Sequence, residues 1–187
     1  MKKAFLFPGA DETEKSIWFP WLATELKKVK YQLKILSFPH NQAPNLADSL
    51  HYALRKVSPQ SDSLLIGHGS GCPVLLSFLE KANSKVDKVI LTAGFCEATP
   101  NDPNSANMVQ KCYNWSKIAA TANSFVMINS RDNKLGYDDR FGSFMAEKLG
   151  GVMLVEDDNE IECRHSTGLT DFPLLMDVIT DEMWPAR

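Results

Sequence analysis

The stretch Leu64-Leu65-Ile66-Gly67-His68-Gly69-Ser70-Gly71-Cys72-Pro73 decides the fold. Its apolar run, glycine-rich turn and early proline read as a buried strand, a tight turn and a helix start. Proline in a first helical turn gives up no hydrogen bond, so Pro73 suits that reading. The order is that of a nucleophile elbow, G-x-S-x-G, in which a serine sits on a strained strand-to-helix turn. Gly67 and Gly71 take the two glycine positions, and Gly69 stands where the serine belongs. The setting points to acyl transfer, while the reacting hydroxyl is absent from it.

Outward from the elbow, strands and helices alternate. Ala4 to Phe7 is a short apolar run ended by Pro8-Gly9 and reads as a strand. From Ile17 to Lys28, apolar residues recur at helical spacing and two lysines close the segment, which suits the helix dipole. The pattern then predicts strands over 32–37, 63–67, 86–92, 124–129 and 152–155, and helices over 46–57, 71–81, 115–120 and 139–149. A last helix opens near Asp171, expected as its N-cap, with Pro173 in the first turn. Residues 93–108, rich in proline and asparagine, read as a loop and as a candidate rim of a cleft. Six strands each joined by helices imply a mostly parallel sheet covered on both faces.

Composition narrows the function. A chain of 187 residues with 44% hydrophobic and 23% charged residues fits one soluble domain spanning 1–187. The longest basic runs, Lys2-Lys3 and Lys27-Lys28, are too short for a nucleic-acid footprint. No apolar run is long enough to span a membrane. Pro8-Gly9 cuts the N-terminal apolar run too early for a secretory signal. Cys72, Cys96, Cys112 and Cys163 form no C-x-x-C pair and are expected as reduced thiols in a cytoplasmic protein. Cys163 and His165 are too few ligands for a metal site, and no cofactor is expected.

The chemistry of an elbow needs a base and an acid. His165 lies between the sixth strand and the last helix, where the chain order Ser…Asp…His places the base. His40 and His51 precede the elbow, and His68 sits inside the turn, where its side chain is expected to pack or bond locally. After the fifth strand, Ser130-Arg131-Asp132-Asn133 offers one carboxylate, Asp132. Orienting a histidine and bonding its own turn are equally open to it.

With these segments in place, the chain resembles the retinoblastoma-binding-protein-nine type of small serine hydrolase and its bacterial relatives. The likeness runs through Pro8-Gly9, Trp18-x-x-Trp21-Leu22, Phe38-Pro39, the elbow, Asn114-Trp115-Ser116-Lys117-Ile118, Ser130-Arg131-Asp132-Asn133 and Arg164-His165. It implies a three-layer α/β-hydrolase fold without a large lid domain, and by descent the hydrolysis of a small ester, amide or thioester. It also shows departures. Family members carry serine at the position of Gly69. Their acid is the second residue of an Asp-Asp pair, which falls on Asn133. The residues flanking His165 differ as well, Arg164 for a glycine and Ser166 for an aromatic.

Three readings follow. In the first, the scaffold has lost its chemistry and binds a small acyl or anionic ligand, or a protein, through the old cleft. The N–H groups of Ser70 and Ala10 are then the candidate oxyanion donors, and the resemblance places Trp115 near the cleft mouth. In the second, a working hydrolase uses Ser70, His165 and Asp132. In the third, the Gly67–Gly71 turn is an anion-binding module at a helix N-terminus.

Overall fold

The computed structural model describes residues 1–40, 42–82, 84–131, 133–156 and 170–181. Six strands form one sheet: β1 (Lys2–Phe7), β2 (Tyr31–Ile35), β3 (Leu64–His68), β4 (Val86–Thr92), β5 (Ala122–Ser130) and β6 (Val152–Glu156). Their order is β2-β1-β3-β4-β5-β6, and every pairing is parallel. The helices are α1 (Phe19–Lys28), α2 (Leu46–Lys56), α3 (Gly71–Lys81), α4 (Trp115–Ala119), α5 (Asp139–Leu149) and α6 (Pro173–Thr180).

Alternation along the strands builds two cores. Ala4, Leu6, Leu64 and Ile66 face one side, against Trp18, Phe19, Leu22 and Leu26 of the α1 segment and Leu175 and Val178 of α6. Phe5, Phe7, Leu65, Val89 and Leu91 face the other, against α2, α3 and α5. Both faces of the central strands are therefore dry, as a parallel sheet requires. No helix among the described residues is long and apolar enough to cross a membrane.

Three local expectations need correction. α1 begins at Phe19 rather than Ile17, because Pro20 fits only the first turn. Ahead of it Thr13 and Ser16 close a turn, with Phe19 N–H donating to Ser16 O at 3.1 Å. α6 is preceded by Phe172 at the N-cap, with no side-chain cap, so Asp171 lies one residue too early to fill that role. The rim loop is not wholly irregular: Pro103–Asn107 is a 3₁₀ helix capped by Asp102, whose side chain accepts from Asn104 N–H. Trp184 and Cys163 lie outside the described residues.

The chain runs outward from β1 to β2 and then returns to place β3 on the other side of β1. Loops leaving β1 and β3 thus diverge at their carboxyl ends and open a crevice there, the usual ligand position in such sheets.

Candidate active site

The turn between β3 and α3, read from the sequence as an elbow, is built by close packing. Gly69 follows β3 with φ of +52°, a left-handed conformation that favours glycine. Its N–H donates to Thr92 O at 3.0 Å, and its carbonyl accepts from Cys72 N–H at 3.0 Å. A Cβ on Gly71 would lie 2.0 Å from Phe7 O and 2.7 Å from Pro8 O, so only glycine lets α3 start against the end of β1. Cys72 is buried, with its thiol directed at Thr92 O at 3.5 Å, and it packs the helix onto the sheet.

Ser70 occupies the N-cap of α3 without capping it, at helical angles of φ −67° and ψ −9°. Its hydroxyl turns toward the loop after β1 and accepts from Ala10 N–H at 2.9 Å. Ser70 and Ala10, two of the residues singled out in the sequence, are thus in direct contact. Two donors of the glycine turn, Gly69 N–H and Cys72 N–H, are already engaged by protein carbonyls.

The loop after β1 is held by a residue the sequence reading did not single out. Period-two alternation sends His68, like Ile66 and Leu64, to the α1 face of the sheet. There its ring meets Trp18 at 5.4 Å and Phe19 at 6.0 Å, both edge-on. The Glu12 carboxylate reaches in beside it, with Oε1 2.8 Å and Oε2 3.0 Å from His68 Nδ1. Glu12 Oε2 also accepts from Gly9 N–H at 2.5 Å. Glu12 is 3% exposed and His68 fully buried. This buried pair ties the loop to the elbow across Asp11, whose φ is +62°, and so sets the direction of Ala10 N–H. The alternation of β3 could have signalled that a buried His68 needs a polar partner.

Above the elbow lies a cleft of about 510 Å³, lined by Gly9, Ala10 and Ser70 at its floor. Phe95, Met108 and Leu135 supply apolar wall, and Asp102 with Tyr137 a polar one. Gly69 is not part of the lining. Trp115 is not part of it either: its ring packs against Tyr113 at 5.1 Å and Phe144 at 5.8 Å, beside α5. Behind the cleft, burial pushes the Cys96 thiol up to about 12, with a further contribution from Glu97, so it carries no thiolate nucleophile near neutrality.

On the far side, Asn129 at the end of β5 donates from Nδ2 to Gly94 O, Tyr137 O and Asp138 O, which fixes the approach to α5. Asn133 is buried, and its Oδ1 accepts from Leu135 N–H at 2.9 Å. Its Nδ2 has no hydrogen-bond partner among the described residues. That bond settles the amide orientation, since the reverse placement would set NH₂ against N–H. Asp132 and His165, the expected carboxylate and base, lie outside the described residues.

A family model described as serine hydrolase matches residues 4–180. YdeN of Bacillus subtilis (strain 168) is 26% identical over 182 residues, covering 96% of this chain and 95% of that protein. The crystal structure of the ydeN gene product is similar with a TM-score of 0.87 at 24% identity, over 96% of this chain and 97% of that one. A hydrolase from Oleispira antarctica follows at a TM-score of 0.65 and 13% identity, over 97% and 92% of the two chains. Polyneuridine aldehyde esterase gives 0.62 and 12%, over 96% and 97%.

Proposed function

The chain belongs to the serine hydrolase family and has the α/β-hydrolase fold, and from that premise we propose that it is a member whose hydrolytic chemistry is lost and whose cleft now binds a small ligand. The observation that carries this reading is Gly69 at the turn of the elbow, with the left-handed φ such a turn demands and no side chain to react. Acyl-enzyme formation needs an oxygen at that point, and loss of a triad serine lowers kcat on the order of 10⁶-fold.

Asn133 supports the same reading. The acid of a triad accepts the N–H of the base and so fixes its tautomer. With Oδ1 turned to Leu135 N–H, the group of Asn133 left without a partner among the described residues is the amide donor Nδ2. A donor there favours the imidazole tautomer that cannot take a proton from a hydroxyl. His165 keeps its place in the chain order, and Asp132 its neighbouring carboxylate, yet neither restores a nucleophile.

One observation favours a second reading, an active enzyme using Ser70. Its hydroxyl borders the cleft and is held by a backbone N–H. Against it, the Ala10 N–H that would receive an oxyanion is already engaged by that same hydroxyl. For the third reading, an anion module, two of the turn's donors, the N–H groups of Gly69 and Cys72, are taken by protein carbonyls.

Fluorophosphonate treatment followed by digestion and mass mapping separates these. The expected result is no adduct anywhere in the elbow peptide. An adduct on Ser70 overturns the proposal in favour of the active enzyme.

A further inference from the structure

We propose that the cleft takes a small organic cation, a protonated amine carried on an apolar group of phenethyl size; the inference rests on reading the cleft as a binding site that has outlived hydrolysis. The charged side chains among its described lining residues are Asp11 and Asp102. Asp102 is presented in a fixed attitude. Asn104 N–H donates to its Oδ1 at 3.0 Å, and the Tyr137 hydroxyl donates to its Oδ2. Tyr137 is itself held by stacking on Phe95, with centroids 4.1 Å apart and planes 10° from parallel.

A carboxylate accepts about four hydrogen bonds, so two aiming donors leave capacity for an ammonium. Phe95 and Tyr137 line the cleft as a buried stack, which keeps the Tyr137 hydroxyl aimed at the carboxylate. Pro44, Met108 and Leu135 offer surface for the hydrocarbon part. The volume of about 510 Å³ lies within the range of small-molecule pockets.

The same features disfavour an anion. Ala10 N–H is held by Ser70 Oγ and Gly9 N–H by the Glu12 carboxylate, so these backbone donors are not presented to a ligand. An incoming carboxylate would meet two negative charges.

Titration calorimetry on the wild-type chain, with phenethylamine, 2-phenylethanol and 3-phenylpropionate, tests this. The amine is expected to bind at least about tenfold tighter than the alcohol, the propionate weakest, and added salt to weaken the amine alone. Asp102→Asn keeps an acceptor for Tyr137 and removes the charge, and it should take away most of the amine's advantage over the alcohol. If its melting curve shows a folding defect, Asp11→Asn gives the same test with a smaller drop. No binding of the amine, equal binding of amine and alcohol, or tighter binding of the propionate overturns the inference. A fluorophosphonate adduct on Ser70 would instead defeat the reading of lost chemistry and leave the three affinities standing.

Discussion

The turn after β3 and the loop after β5 carry the two positions on which the proposal of lost chemistry rests, and they differ in what holds them. At the elbow, packing dictates shape: Gly71 has carbonyl oxygens of Phe7 and Pro8 where a Cβ would sit. The Glu12–His68 pair then pins the neighbouring loop from beneath. At Asn133, hydrogen bonds do the holding: the side chain accepts from Leu135 N–H and the backbone carbonyl from Gly136 N–H. Shape set by close packing resists substitution, because almost any change there is destabilising. A group that only hydrogen-bonds is exchanged for an isostere at little energetic consequence.

The comparison breaks most readily at Gly71. Gly71→Ala forces backbone to move, and we expect a loss of at least about 3 kcal/mol in urea unfolding. A loss below about 1 kcal/mol would show that packing does not dictate the elbow. Next in size, Glu12→Ala removes a buried carboxylate from beside His68 and is expected to destabilise by about 2–3 kcal/mol by the same measurement. Glu12→Gln, which keeps an acceptor for Gly9 N–H, should recover part of that.

Smaller again, Gly69→Ala introduces a side chain at φ +52° and should lower stability by about 1 kcal/mol, read from thermal melts. The smallest effect belongs to Asn133→Asp, which keeps the acceptor for Leu135 N–H. Near neutral pH it places a charge at a buried position, and the loss should be about 1 kcal/mol or less. A much larger change would mean that the loop after β5 is as tightly specified as the elbow.

Much of this architecture was legible in the sequence because it is periodic. The alternation of β3 and the glycine spacing at 67, 69 and 71 located the turn, and Pro73 located the start of α3. Helix starts were read less well where capping competes with proline, at Ile17 and at Asp171. Of the positions the motif named, Ser70 and Ala10 meet at the cleft, while Gly69 is not among its lining residues. Glu12 escaped because its partners, Gly9 and His68, converge only after β1 and β3 become neighbours. Asp102 and Tyr137 escaped for the same reason, being brought together by the rim loop and the approach to α5. Trp115 was placed by resemblance near the mouth, and the aromatic contact with Phe144 on α5 carries it aside.

The central claim is that the scaffold stands ready while its reacting groups are gone. Turnover of p-nitrophenyl acetate by the wild type and by the Gly69→Ser, Asn133→Asp double variant tests it most directly. The account predicts a wild-type rate indistinguishable from buffer, and a rate in the folded double variant well above it. Wild-type turnover that disappears in Ser70→Ala, or a folded double variant that stays inert, would contradict it.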